Sequence, residues 1–154
     1  MSLWDWAVAA YAAPEVSEAC LALQDHHDQN VPLLLWSAWV AATGRRPDEE
    51  TIEAACDTAR AWEEIVVAPL RAMRRTLKTP LNDIEAGSRL EIRDQVKALE
   101  LKAERRLLEA LEALAPPPDG APRPPLDGLV ATARQWSRVT PRPALIRLAE
   151  ALPA

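Results

Sequence analysis

The sequence predicts an all-α protein, and two observations support this prediction. Apolar residues recur at spacings of three and four along most of the chain, as they do on the buried face of a helix. Prolines, glycines and capping residues divide these periodic stretches into lengths that suit helices. No stretch shows the apolar–polar alternation of a half-buried strand. We expect a five-helix bundle, followed by a proline-rich linker and one or two short C-terminal accessory helices.

The first two helices are expected to meet at a proline. Ser2 is a good N-cap for a helix from about Leu3 to Ala12, and Asp5 favours the positive end of its dipole. Pro14 ends this helix and begins the second one, because proline is tolerated in a first turn. The second helix should extend to about His27.

The third helix is predicted to lie at the centre of the bundle. Asn30 is its expected N-cap, and residues 33–42 are apolar almost all round, so neighbours should cover this helix on several sides. Gly44 is expected to end it. Trp36 and Trp39 should supply core volume, since the chain contains no phenylalanine.

The fourth helix is predicted to be long and irregular. Asp48 is its expected N-cap, and an apolar stripe extends from Ile52 to Leu77. Pro69 removes one backbone hydrogen bond, so we expect a kink near residues 65–69.

The fifth helix is expected to begin with a capping box, Ser88 with Glu91, and to extend to about Ala115. Glu100 and Glu104 are expected on its solvated outer face. The residues predicted to face inward are Ile92, Val96, Leu99, Ala103, Leu107, Ala110 and Leu114.

Six prolines between residues 115 and 125 indicate an extended linker. Beyond it, Asp127 is expected to cap a helix, and residues 144–152 should form a last short one. The resulting division is a helical bundle domain at 1–115, a linker at 116–125 and an accessory helical tail at 126–154.

The formal net charge of -5 argues against nucleic acid or an anionic membrane surface as a partner, because both favour a basic face. No apolar run reaches the roughly 18 residues that a membrane span needs. A secretory signal has basic residues before its apolar part, and this N-terminus has none there. We expect a cytoplasmic protein in which Cys20 and Cys56 are buried free thiols.

Three segments together resemble a known family. They are LWDWAVAAY at 3–11, CLALQDHHDQNVPLLLW at 20–36 and WEEIVVAPLRAMRRTLK at 62–78. They are similar, over roughly residues 3–110, to small bacterial proteins classed only as a domain of unknown function. The resemblance implies no catalytic residue and no cofactor. The family has a glycine near Asp28 and a second asparagine near Pro32, so this sequence departs from it between the second and third helices.

A polar cluster between the second and third helices is the first candidate site. Its candidate residues are Gln24, Asp25, His27 and Asn30. They could bind a ligand or take part in acid–base chemistry, and Glu63 or Glu64 could complete a metal site. The alternative is structural, because His27 favours the negative end of one helix and Asn30 caps the next. We predict no metal site, since the chain has only two histidines.

One face of the fourth helix is basic and is the second candidate site. It carries Arg71, Arg74, Arg75 and Lys78, at relative positions that a helix brings together. Such a face could bind an acidic protein partner or a small anionic ligand, because guanidinium groups match carboxylates and phosphates. Alternatively, these residues complement the helix dipole and pair with acids such as Glu64, Glu85 or Glu91.

Two function classes follow from these candidates. We favour a non-enzymatic binding or adaptor module that uses the basic face, with Trp4 and Trp6 as a further contact surface. The second class is a small enzyme or ligand carrier with a pocket between the second, third and fourth helices. Gln24, Asp25 and His27 would then reach into that pocket, and Arg71 or Arg75 would bind an anion. The sequence contains no nucleotide-binding glycine motif and no nucleophile–base pair, so an enzyme is the less favoured class.

Overall fold

The structure is a computed structural model that describes residues 1–153, and these residues form helices without any strand. In chain order they are α1 Leu3–Tyr11, α2 Pro14–His27, α3 Val31–Ala42, α4 Glu49–Trp62, a π-helical turn Glu63–Val67, α5 Ala68–Thr76, α6 Ala86–Leu114, α7 Leu126–Trp136 and α8 Arg142–Ala151. Because α4, the π-helical turn and α5 are continuous, the described chain has seven helices. The predicted all-α class is confirmed. Within this part of the chain, no helix has both the length and the apolar character to cross a membrane.

The central position predicted for α3 is confirmed. Nine of its residues are buried, and it contacts α1, α2, α4, α6 and α7. Asn30 caps it by accepting a hydrogen bond from the backbone N–H of Leu33 at 3.0 Å. Trp36 and Trp39 are both fully buried, so they fill the space between the surrounding helices.

The last two helices, α7 and α8, belong to the same core as α1–α6. α7 packs against α3 and α4, while α8 packs against α2 and α7. Leu129, Ala133, Leu145 and Leu148 are fully buried in the hydrophobic cluster that also contains Trp36. The chain therefore does not form a five-helix body with accessory helices, because burial against α2, α3 and α4 makes the last two helices part of the bundle. The domain boundaries predicted near residues 115 and 125 stay a prediction.

The proline-rich segment 115–125 forms neither helix nor strand and is hydrogen-bonded to the end of α3 and the turn after it. The N–H of Gly120 donates to the carbonyl of Gly44 at 2.9 Å, and the N–H of Arg123 donates to that of Ala41 at 2.9 Å. Gly44 has a φ of 70°, and a Cβ there would lie 1.9 Å from the carbonyl oxygen of Gly120. Only glycine combines this backbone conformation with so close an approach.

Two predicted helix starts are wrong by a few residues. The cap of α6 is Glu85 rather than Ser88, because the Glu85 carboxylate accepts from the N–H groups of Gly87 at 2.8 Å and Ser88 at 2.7 Å. α7 begins at Leu126, which places Asp127 in the first turn rather than at the cap. In both helices an acid still lies at the positive end of the helix dipole.

The long helix changes its hydrogen-bonding pattern just before Pro69. The N–H of Ala68 donates to the carbonyl of Glu63, five residues earlier, which defines the π-helical turn. A π-helical turn at Glu63–Val67 is thus found close to where a kink near residues 65–69 was predicted. This turn contains one extra residue, so side chains eight positions apart can meet, and Arg71 Nη1 donates to Glu63 Oε1 at 3.0 Å.

Some residues predicted to face inward are about half exposed. The exposed fraction is 51% for Met73, 49% for Ile92 and 51% for Leu99. α5 and α6 pack against each other. A pair of helices can bury only the side chains between them, so the predicted inward stripe is too wide here.

Candidate ligand-binding cavity

A cavity of about 490 Å³ lies between α1, α2, α3, α5 and α6. Its walls are mostly apolar and include Trp4, Val8, Leu21, Val31, Leu35 and Leu108. The polar side chains that line it are Tyr11, Gln24, Arg71, Arg74, Glu100 and Glu104. Small-molecule sites in proteins typically have this volume, apolar walls and a few convergent polar groups.

The charged end of the cavity is built around Glu100, whose side chain is only 9% exposed. Arg74 Nε donates to Glu100 Oε2 at 2.6 Å, and its Nη2 donates to Oε1 at 3.3 Å. Arg71 Nε lies 3.6 Å from Glu100 Oε1, while its Nη1 is bonded to Glu63. The hydrogen bond to Glu100 raises the pKa of Arg74. Both arginines are therefore held in place by carboxylates of the protein itself.

Glu104 lies one helical turn after Glu100 and also lines the cavity. It makes no hydrogen bond or ion pair with any residue of 1–153. Burial raises the pKa of its carboxyl, as do the nearby charges of Glu100 and Glu63, whereas Arg71 and Arg74 oppose the shift. Ionisation of Glu104 is thus less favourable than that of an exposed glutamate, and its oxygens are available to an occupant of the cavity.

Tyr11 and Gln24 add polar atoms to the cavity from α1 and α2. Burial raises the pKa of the Tyr11 phenol, and Cys20, Glu104 and Asp25 add to the shift. Tyr11 and Glu104 are therefore near enough to interact electrostatically. Within the described chain, neither the Tyr11 hydroxyl nor the Gln24 amide has a hydrogen-bond partner.

The structure separates the residues of the predicted polar cluster. Gln24 lines the cavity, whereas Asp25 and His27 are exposed and do not line it. Asn30 is 5% exposed and serves as the cap of α3. Asp28 ends α2 with a φ of 51°, a left-handed conformation that favours glycine.

Two contacts explain much of the remaining polarity of this segment. Gln29 is buried, and its Nε2 donates to the carbonyl of His27 at 3.2 Å and to Ser137 Oγ at 3.1 Å. The carbonyl of Asp28 accepts a hydrogen bond from Trp136 Nε1 at 2.8 Å. The turn between α2 and α3 therefore binds the end of α7 and the residue after it.

The basic face is also divided. Arg71 and Arg74 turn toward the cavity, whereas Arg75 and Lys78 are exposed. The acids that pair with the inward arginines are Glu63 and Glu100. The acids expected from the sequence as partners were Glu64, Glu85 and Glu91.

Glu100 and Glu104 were predicted on a solvated outer face, and this prediction is wrong for Glu100, which is 7% exposed. At 100° per residue, Glu100 lies only about 40° from Val96, which belongs to the buried stripe of the same helix. Its position on the helical wheel was therefore the signal that could have identified it. The alternation of acids and bases along α6 obscured this signal.

Cys20 and Cys56 are buried free thiols, as expected. Burial raises the pKa of Cys20 to about 12 and that of Cys56 to about 11. Among residues 1–153, no group of three or more His, Cys, Asp or Glu side chains is arranged to hold a metal ion.

The fold and the cavity define an all-α protein with a candidate small-molecule site. Residues 2–111 match the family described as a protein of unknown function (DUF2390), and the chain belongs to this family. The family resemblance is thereby confirmed. Every residue that lines the cavity lies within the matched range. Comparison with curated proteins and with solved structures found no match.

Proposed function

We propose that this protein is a non-enzymatic binding module that takes a small molecule with an apolar body into the cavity between α1, α2, α3, α5 and α6. The observation that supports this proposal is the 490 Å³ cavity, with its apolar walls and single charged end. Apolar walls supply affinity, and a few polar groups fix the orientation of the ligand. The proposal combines the two function classes predicted from the sequence, since it places non-enzymatic binding in a pocket rather than on the basic face.

The charged end also favours binding because it is ordered before a ligand arrives. Arg71 and Arg74 are each held by a carboxylate, so a ligand does not have to immobilise these long side chains. Ordering a flexible side chain on binding costs roughly 0.5–1.5 kcal/mol, and this cost is largely avoided here.

The proposal is tested by filling the cavity. Leu101 lines it and is 58% exposed, so Leu101→Trp should occupy part of the space. Leu99 is on the same helix, is 51% exposed and does not line the cavity, which makes Leu99→Trp a matched control. The probe is 1-octanol, with binding measured by isothermal titration calorimetry. Native mass spectrometry of the purified protein, before any probe is added, would detect a bound small molecule.

We expect the native protein and Leu99→Trp to bind 1-octanol equally. Leu101→Trp should bind it roughly tenfold more weakly, since a tenfold change needs only about 1.4 kcal/mol. Equal weakening by both substitutions would contradict the proposal. So would a native protein that neither binds 1-octanol nor carries a small molecule when purified.

An acidic protein partner is the second candidate function. It is favoured by Arg75 and Lys78, which are exposed and form no ion pair with the residues described. A pull-down that compares the native chain with Arg75→Glu/Lys78→Glu tests it, and Lys97→Glu, an exposed position on α6, is the control. A partner that is lost only with the double substitution would support this candidate. A partner retained by all three proteins would exclude the proposed role of Arg75 and Lys78.

A further inference from the structure

The charges that surround the cavity indicate which head group a ligand would carry. Two arginines on α5 face three glutamates, one in the π-helical turn and two on α6. Glu63 and Glu100 are paired with these arginines, whereas Glu104 forms no ion pair with the described residues, although both arginines lie near enough to oppose the rise in its pKa. The ionised cluster therefore carries one formal negative charge.

An anionic head group would meet two obstacles at this end of the cavity. It would compete with Glu100 for Arg74, which already makes a 2.6 Å charge-assisted hydrogen bond. It would also approach Glu104, whose charge would repel it. A cationic head group breaks no existing ion pair, and its repulsion by Arg71 and Arg74 is offset by the three nearby glutamates.

Three residues that carry oxygen acceptors line the same cavity from three different helices. They are Glu104 on α6, Gln24 on α2 and Tyr11 on α1. A primary ammonium group has three N–H donors and no acceptor, so its hydrogen-bonding capacity matches this set.

We propose that the ligand is a monovalent amine whose apolar body lies along the walls of the cavity and whose ammonium group is bound by Glu104, with Gln24 and Tyr11 as further acceptors. This inference rests on the proposed function, since it names the chemical class that the same cavity binds. Glu104 supplies the counter-charge, and Gln24 and Tyr11 orient the head group.

The test compares three probes of equal chain length at pH 7, namely octylamine, 1-octanol and octanoate. Calorimetry measures their binding to the native protein, to Glu104→Gln and to Glu91→Gln. Glu91 is an exposed residue of α6 that does not line the cavity, so its substitution changes the net charge equally without changing the site. Circular dichroism confirms that each variant is folded.

We expect the native protein to bind octylamine about tenfold more tightly than 1-octanol, and octanoate more weakly than either. Glu104→Gln should lose about tenfold in octylamine affinity while binding 1-octanol as before, and Glu91→Gln should behave like the native protein.

The possible failures are distinguishable. If the native protein binds 1-octanol without preferring octylamine, or if Glu104→Gln keeps that preference, the amine inference is wrong and the proposed function stands. Tightest binding of octanoate would likewise overturn the inference in favour of an anionic ligand. If none of the three probes binds and the purified protein carries no small molecule, the proposed function fails together with the inference.

Discussion

Replacing Glu100 by glutamine is expected to destabilise the fold, although the side chain keeps its size. The Glu100 carboxylate is shared by Arg74 and Arg71, whose side chains are 24% and 15% exposed. Removing one partner of a fully buried ion pair costs about 3–5 kcal/mol. Both arginines here keep some contact with water, and Arg71 keeps Glu63, so we expect a loss of about 2–3 kcal/mol in the free energy of unfolding.

Urea denaturation followed by circular dichroism measures this loss. In a thermal experiment it corresponds to a decrease of roughly 5–10 °C in Tm for a chain of this length. Glu109→Gln on the same helix is the control, because Glu109 pairs with Arg105 and Arg106 at the surface and should leave stability unchanged. Arg74→Met should also cost less in the Glu100→Gln background than in the native protein. Equal stability of Glu100→Gln and Glu109→Gln would refute the reasoning.

Three further predictions follow from burial and backbone geometry. The pKa of Glu104 is raised in the folded protein, so the protonated carboxyl favours the folded state. Its contribution to the free energy of unfolding is complete below the pKa that Glu104 has in the unfolded chain, and it is lost as the pH rises through the pKa in the folded protein. Glu104→Gln should therefore be more stable than the native protein at pH 7 but not at pH 3, and equal differences in urea stability at both values would contradict this. Gly44→Ala should lower the free energy of unfolding by roughly 2–4 kcal/mol, because φ is positive at this position and the new Cβ would overlap the proline-rich segment. Gly87→Ala should lower the free energy of unfolding by less in the same assay, because its φ is not positive and its Cβ would meet a side chain, the Glu85 carboxylate at 3.0 Å, rather than backbone. Cys20 and Cys56 should react with a thiol reagent at pH 8 only after denaturation, since burial suppresses their thiolates, and rapid labelling of the folded protein would show that they are accessible.

The features of the fold that depend only on residues close together in the sequence could be predicted. Ser2, Asn30 and Asp48 are N-caps as expected, because each accepts a hydrogen bond from an N–H three residues later. The packing of the last two helices could not be predicted in this way. Composition alone identifies residues 115–125 as a linker, and nothing local shows that this segment binds the turn after α3.

The candidate site could be predicted only in part, because some of its interactions join residues that are far apart in the sequence. Gln24 was a candidate as part of a polar cluster, and Arg71 and Arg74 were candidates as part of one basic helix face; all three line the cavity. Their partner Glu100 was missed, since its contacts with α5 span 26 residues of sequence. The pairing of Glu63 with Arg71 depends on the extra residue of the π-helical turn, which no spacing rule for a regular α-helix includes.

Glu104 is the residue whose place in the structure is best explained by binding rather than by folding. Glu100 is stabilised by two arginines, but Glu104 lies in the same cavity with a raised pKa and no partner. A neutral side chain of similar size would line the cavity without this cost, so packing does not require a carboxylate there. Ionisable groups in unfavourable surroundings often occur where a protein binds a ligand or carries out chemistry. If Glu104 serves an amine, Glu104→Gln should gain stability at neutral pH and lose its preference for octylamine together. If Glu104 were instead a structural partner of Arg71 or Arg74, the same substitution would lower stability, so one variant separates the two roles.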